Sequence, residues 1–292
     1  MEHHPVMLAE TLDYLAPQPA GVYLDATAGL GGHTRAIAER LTDGFVIAND
    51  RDAESLAIAR RNVGEQLARR VRFHRGAFST LPAALAEAGV ERVDGLLADL
   101  GVSRYQLTDA ERGFSLMAEG PLDMRQDRSQ AATAADIVNF AAEKELADLI
   151  FQLGEERRSR RIARAIVRAR PIRTTGQLAR VVEEAVPRTG RLHPATQTFM
   201  ALRLAVNDEM GELDRLLATA PNLVRSGGRM VVITFMSLED RRVKQKFQEL
   251  ARAGRAIVLT KHVVRPGGAE TEANPASRSA KLRAVEMTKA NG

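Results

Sequence analysis

Apolar positions in the first hundred residues alternate between two spacings. Short continuous runs at Val22–Asp25, Phe45–Asn49, Val71–His74 and Val93–Asp99 read as buried strands. Between them, His33–Leu41, Asp52–Leu67 and Ser79–Ala88 carry apolar residues at helical spacing. Asp52 and Ser79 stand where N-caps belong, the latter with Pro82 in the first turn of its helix. This alternation predicts a parallel sheet with helices on both faces. After Val102 it stops. The stretch Tyr105–Asp127, with Gly113, Gly120 and Pro121, predicts a long ordered loop. Three helical stretches follow, near Ala134–Leu153, Glu156–Arg168 and Thr175–Val186, with turns at Gly154 and Pro171. Alternation resumes with a long helix over Pro194–Leu217, a strand at Arg229–Phe235 and a helix at Leu238–Ala253. Strands at Ala256–Val263 and Leu282–Met287 close the pattern, with a polar turn at Pro266–Ser279 between them. Four early and three late strands predict an α/β fold interrupted by an all-helical insert. The boundaries expected are 1–104 and 204–292 for the sheet domain and 105–203 for the insert.

The turn after the first strand carries the first chemistry. Asp25 is followed by Gly29-Leu30-Gly31-Gly32-His33, and glycines at such a turn let a nucleotide-like ligand approach bare backbone at a helix N-terminus. The dinucleotide fingerprint G-x-G-x-x-G would need a third glycine at the position occupied by Thr34. An acid four residues ahead of a G-x-G-G turn fits S-adenosylmethionine better than NAD. Another nucleotide and a plain strand–helix turn are the other readings of the loop alone. Ligands of open parallel sheets sit at the carboxyl ends of the strands, so the remaining ends are candidates too. Asp50 can accept hydrogen bonds from ribose hydroxyls or support the helix start at Asp52. Phe78 can lie against an adenine ring or fill the core. His33 can contact a ligand or simply start its helix. Asp99, in Asp99-Leu100-Gly101-Val102-Ser103, stands where amino-directed methyltransferases place a hydrogen-bond acceptor. Such a group localises the lone pair of a ring amine for attack on a sulfonium methyl. Asp99 can serve the amine or the cofactor, and both readings stay open.

Composition narrows the field. With 292 residues, 45% of them apolar, the chain can bury a core, and no run approaches the ~18 apolar residues of a membrane span. Neither a basic n-region nor an apolar h-region opens the chain, so the expected compartment is the cytoplasm. Cysteine is absent, which excludes disulfides, thiolate metal sites and any route through a cysteine nucleophile. His3 and His4 are adjacent and lack a partner at metal-ligand spacing, so no metal site is expected. The net charge is +5, yet twelve arginines stand against Glu183 and Glu184 between Arg157 and Arg203. Arg157, Arg161, Arg164 and Arg168 recur at helical spacing with few acids nearby in sequence, and Ile162, Ile166 and Ala169 are expected to face a core. A basic block on an acidic body is expected of a polyanion-facing segment, a solvated helix face being the alternative.

Eight blocks in order resemble the bacterial ribosomal RNA small subunit methyltransferase H family, also called MraW. They are His4-Pro5-Val6-Met7-Leu8, Gly29–His33, Asp99–Ser103 with Gln106, the pair Glu111–Ser115 and Gly120–Arg125, Gly154–Arg157, His193–Thr196, Ser237–Arg241, and Asn274-Pro275 leading to Arg278–Arg283. The resemblance implies a class I (Rossmann-like) seven-stranded methyltransferase sheet using S-adenosyl-L-methionine. The expected reaction is methylation of N4 of a decoding-centre cytidine in 16S rRNA, with the rRNA in the small ribosomal subunit as partner and no membrane. A homodimer is left open. The resemblance also implies cofactor contacts at Gly31, Gly32, His33, Asp50, Phe78, Asp99 and Gln106, and rRNA contact by the helical insert. Two positions depart from the family pattern: Met236 replaces the usual histidine before Ser237, and Arg104-Tyr105 replaces a small residue and proline before Gln106. The rivals are a noncatalytic rRNA-binding assembly factor and an amino-methyltransferase of DNA or tRNA. The latter would carry a Pro-Pro-aromatic turn after the fourth-strand acid, and this chain does not.

Overall fold

The computed structural model describes residues 5–188, 190 and 192–289; the expected absence of a metal site at His3 and His4 and the first residue of the His4–Leu8 block lie outside them. Along the chain come α1 (Leu8–Leu15), β1 (Val22–Asp25), α2 (Gly32–Ala38), β2 (Phe45–Asp50), α3 (Ala53–Val63), β3 (Val71–Arg75), α4 (Leu81–Glu87) and β4 (Val93–Asp99). Next are α5 (Arg104–Thr108), α6 (Ala134–Phe140), α7 (Glu143–Gly154), α8 (Ser159–Ala169), α9 (Thr175–Ala185) and α10 (Thr196–Val206). Then follow α11 (Glu209–Leu223), β5 (Val224–Thr234), α12 (Ser237–Arg252), β6 (Ala256–Val258), α13 (Gly268–Ala273) and β7 (Lys281–Met287). The chain forms two compact units, residues 1–101 with 211–292, and residues 102–210.

The first unit is a seven-stranded sheet in the order β3-β2-β1-β4-β5-β7-β6. Its ladders are parallel from β3 through β5, but β7 runs antiparallel to both β5 and β6. The seven-stranded sheet is the one the resemblance implies, and the parallel pairing expected from the early strand–helix alternation holds from β3 through β5 and gives way at β7. The link from β6 to β7 carries only the short α13 and a 3-10 turn, and antiparallel neighbours need no helical crossover. Regular pairing of β6 ends at Val258, short of the expected Val263, although Leu259 still donates to Ala284 and Val264 returns to Leu282 in an isolated antiparallel bridge. In the other direction β5 begins five residues early, through a bulge against Val93–Gly95. The order reverses between β1 and β4, and such a switch point opens a crevice at the strands' carboxyl ends. Leu12 and Leu15 of α1 join Ile37, Val46, Leu97, Val231, Ile233 and Leu282 in the core.

Two expected caps fare differently. Asp52 caps α3 by accepting from the Glu54 N–H at 3.0 Å. Ser79 does not cap α4; its N–H and hydroxyl go to the Glu212 carboxylate at 2.9 and 3.2 Å, and the helix starts two residues later.

In the helical unit, Leu146, Ile150, Ile162, Ile166, Leu178, Val182 and Phe199 form a separate core. The expected helix 134–153 is broken because Ala141 and Ala142 are extended, and the Glu145 side chain accepts from the Ala142 N–H to restart it as α7. On α8, Ala163 rather than Ala169 completes the buried stripe, and Arg157 lies in the turn before the helix. The stretch expected as a loop contains α5 and is ordered by close backbone packing. A Cβ at Gly113 would meet the Pro121 carbonyl, and one at Gly120 the Ala110 carbonyl. The long helix expected over 194–217 ends at Asn207, with Asp208 left-handed at φ 46°.

Fully buried Asn207 closes that turn. Its Oδ1 accepts from the Gln126 N–H at 2.8 Å, and its Nδ2 donates to the carbonyls of Met124 (2.8 Å) and Arg203 (2.9 Å). Met124 itself is buried and left-handed, at φ 61°. Asn207→Ala removes the side-chain partner of the Gln126 N–H and the Met124 carbonyl, each loss costing ~1–3 kcal/mol, while the Arg203 carbonyl keeps the backbone N–H of residue 207. Urea denaturation should give a loss of about 3 kcal/mol, and a loss under 1 kcal/mol would remove Asn207 as the tie.

Candidate active site

Every strand end at the switch point finishes in a polar residue, and each is tied to its neighbour. At the end of β1, fully buried Asp25 accepts from the Thr34 hydroxyl at 2.6 Å and from the Thr27 N–H at 3.2 Å. Burial pushes its carboxyl above the usual carboxylate range, and the Thr34 hydroxyl pulls the other way. Thr34 holds the place of the third glycine in a dinucleotide fingerprint. Instead of admitting close helix–strand packing, it binds α2 to β1 through a buried hydroxyl.

The glycine turn is held from β2. Gly29 is left-handed at φ 52°, and its N–H donates to Asp50 Oδ2 at 2.8 Å. The other oxygen, Oδ1, accepts from the Asp52 N–H at 2.9 Å. Both readings of Asp50 as a support and as an acceptor are therefore compatible, because a carboxylate has about four lone-pair sites and two remain. Burial raises the Asp50 carboxyl to about 6, against the lowering effect of those two N–H donors. A Cβ at Gly29 would have open space beyond Thr27 O at 3.8 Å. Gly31 and Gly32 have a different duty: Cβ atoms there would press on Ala59 at 3.1 Å and Pro5 at 3.1 Å. These two glycines let the turn pack against the protein's own chain, which departs from the expectation that all three clear space for a ligand.

Asn49, which sequence reasoning passed over, knits the ends together. Its Nδ2 donates to the carbonyls of Ala26 and Gly76, both at 3.1 Å, and its Oδ1 meets His74 Nδ1 at 2.9 Å. Thr27 was missed as well; its hydroxyl accepts from the Asp99 N–H at 2.6 Å, locking the end of β4 to the turn after β1. The one signal in the sequence was a polar Asn and Thr beside otherwise apolar strand ends.

His33 and Asp99 face each other across this end. His33 Nε2 is 3.6 Å from Asp99 Oδ2, beyond hydrogen-bond distance. His33 is buried, yet neither of its ring nitrogens has a hydrogen-bond partner, and neither has the buried Asp99 Oδ1. Buried polar atoms of this kind are costly unless something completes them. Phe78 follows β3 in a 3-10 turn and is partly exposed. The structure thus brings Gly29–His33, Asp50 and Asp99 to one sheet edge. A ligand with hydroxyls for a carboxylate and polar groups for His33 and Asp99 fits these donors and acceptors, and a nucleoside cofactor with an amino-acid tail has that chemistry.

Gln106 belongs to the helical unit, where it is buried and completes a capping box with Ser103: Ser103 N–H to Gln106 Oε1 at 2.9 Å, and Gln106 N–H to Ser103 Oγ at 3.2 Å. That box does not use the side chains of Arg104 and Tyr105, so the departure there leaves it intact. The departure at Met236 is similar. Buried Glu239 accepts from the backbone N–H groups of Phe235 and Met236 at 3.0 Å each, and Asp240 clasps Arg283 at 2.6 and 3.1 Å. Neither contact uses the side chain at 236. Among the arginines, Arg157, Arg161 and Arg168 are exposed and make no ion pair among the described residues, while Arg164 reaches the sequence-distant Glu143 at 3.5 Å. No group of three or more potential metal ligands occurs among the described residues, and no helix there is long and apolar enough to cross a membrane.

This sheet order, with a glycine turn and acidic strand ends at its switch point, defines a Rossmann-like methyltransferase that uses S-adenosylmethionine. The chain belongs to the MraW methylase family, whose profile matches residues 1–288. A protein of Solibacter usitatus named ribosomal RNA small subunit methyltransferase H is 66% identical, with 98% of this chain and 99% of that protein aligned. Another of the same name from Acidobacterium capsulatum is 51% identical over 97% of this chain and 98% of its own length. A solved rRNA methylase from Streptococcus thermophilus superposes with a TM-score of 0.48 at 11% identity, covering 99% of each chain.

Thr34→Val removes the hydroxyl that a fully buried carboxylate uses. Denaturant unfolding should register a loss of ~1–3 kcal/mol; an unchanged midpoint would dismiss the α2–β1 tie.

Proposed function

We propose that this enzyme transfers a methyl group from S-adenosylmethionine to N4 of a decoding-centre cytidine in the 16S rRNA of the small ribosomal subunit, in the cytoplasm. The observation that carries the reading is the set of buried atoms without a hydrogen-bond partner, His33 Nδ1 and Nε2 and Asp99 Oδ1, beside the Gly29 turn. Relatives named for small-subunit rRNA methylation support the substrate. The eight sequence blocks support the N4 position.

Bound S-adenosylmethionine supplies an electrophilic methyl on a sulfonium. Asp50 accepts its ribose hydroxyls through the two lone-pair sites that Gly29 and Asp52 leave free. Gly31, Gly32 and His33 line the tail of the ligand at the start of α2, Phe78 lies against its base, and Gln106 completes the contacts. Asp99 is the catalytic residue: its free Oδ1 accepts an N–H of the cytosine amine, localising a lone pair otherwise spread into the ring. Orientation of that amine provides most of the acceleration in such a reaction. The segment 105–203 is the substrate-binding insert, and Arg157, Arg161, Arg164 and Arg168 meet phosphates. That contact reads charge and shape rather than sequence and weakens steeply with salt.

Mass mapping of 16S rRNA from cells with and without the gene tests the reading. The deletion should lose a single N4-methyl mark, and an unchanged map would refute the substrate. The Asp50 role has its own test. A carboxyl titrating at about 6 must be ionised to accept two hydroxyls, so cofactor affinity should hold at pH 7–8 and fall toward tenfold per pH unit below 6. Asp50→Asn should weaken binding by ~1.5–3 kcal/mol, about ten- to a hundredfold, and flatten that slope. Calorimetry giving constant wild-type affinity from pH 7.5 to 5 would contradict the assignment.

A further inference from the structure

Phe140, the last residue of α6, holds its ring out into solvent with 82% of its surface exposed. Two residues earlier Val138 is fully buried, so the helix end itself is anchored. Arg170 donates to the carbonyls on either side of Phe140, Val138 at 2.7 Å and Ala141 at 2.6 Å. Asn139 binds both the N–H and the carbonyl of Ile172, at 2.8 and 2.7 Å. Three residues beyond Phe140, Glu143 pairs with Arg164. Arg164 of α8 thus meets the chain just after Phe140, and Arg170, the residue that follows α8, grips it on both sides. Exposed Arg168 stands between them in sequence.

We propose that Phe140 is a stacking platform for an unpaired base of the RNA substrate, next to phosphates taken by the α8 arginines. The inference rests on the RNA reading above. An exposed aromatic ring on a fixed backbone favours a flat apolar partner at little ordering cost, and cations beside it favour a polyanion. Single-stranded RNA offers base faces and phosphates on the same short segment, and it is the form in which RNA bases are open to aromatic side chains.

Two probes used with the full chain test this: a short unstructured oligoribonucleotide carrying 2-aminopurine, and intact small ribosomal subunits. Phe140→Ala should abolish quenching of the 2-aminopurine and raise KM for subunits about tenfold. Phe140→Trp should restore both, whereas Phe140→Leu, apolar but not aromatic, should not. Thermal denaturation should be unaltered, because the removed ring touches solvent. If leucine rescues as well as tryptophan, the ring meets an apolar protein surface and the proposal falls. If Phe140→Ala keeps wild-type quenching and KM in an enzyme that still methylates subunits, the stacking role alone is overturned. Wild-type protein that neither binds the oligonucleotide nor methylates subunits would overturn the RNA reading and this one with it.

Discussion

The hydrogen bond from Gly29 N–H to Asp50 is the contact on which the site depends. It crosses from one strand end to the next, holds a left-handed glycine in the turn after β1, and fixes the carboxylate at the end of β2. Around it, Asn49 joins three strand ends, Thr27 fixes the end of β4, and Thr34 attaches α2 to Asp25. These contacts satisfy the backbone and leave His33 and Asp99 unsatisfied. A strand edge so organised is rigid where it touches itself and incomplete where a ligand belongs, which is the preorganisation that methyl transfer by orientation requires.

Much of this was legible beforehand because buried parallel strands write themselves as continuous apolar runs. β1, β2 and β4 lie within a residue of their expected bounds, and the acids closing them were candidates on position alone. The direction of β7 was not legible, since a strand's sequence does not encode which neighbour it joins. Nor were the duties of individual glycines. Gly31 and Gly32 look like ligand clearance in a motif, but their missing Cβ atoms make room for Ala59 and Pro5. Polar ties such as Asn49 and Thr34 escape a periodicity argument because their partners are distant in sequence.

The helical unit teaches a complementary lesson. Its helix breaks at 141–142 and 207–208 follow from side chains reaching back to the backbone, which helical spacing alone cannot anticipate. The pairing of Glu111–Ser115 with Gly120–Arg125 acquires a physical cause: Gly113 and Gly120 each accept a backbone carbonyl where a side chain would stand. The arginine row was visible from composition, but which of its members lack an ion pair among the described residues was not, and the exposed ring at the end of α6 emerged only from the packing of that helix against the 170–172 segment.

The proposed cofactor site has Gly29 and His33 at the strand ends, so the most direct measurement watches those two groups as ligand is added. With ¹⁵N-labelled protein titrated with S-adenosylhomocysteine, the Gly29 amide and both His33 ring nitrogens should shift together and saturate at the affinity found by calorimetry. Saturable binding that leaves all three signals in place would mean that the donor lies elsewhere and that these strand ends do not hold it.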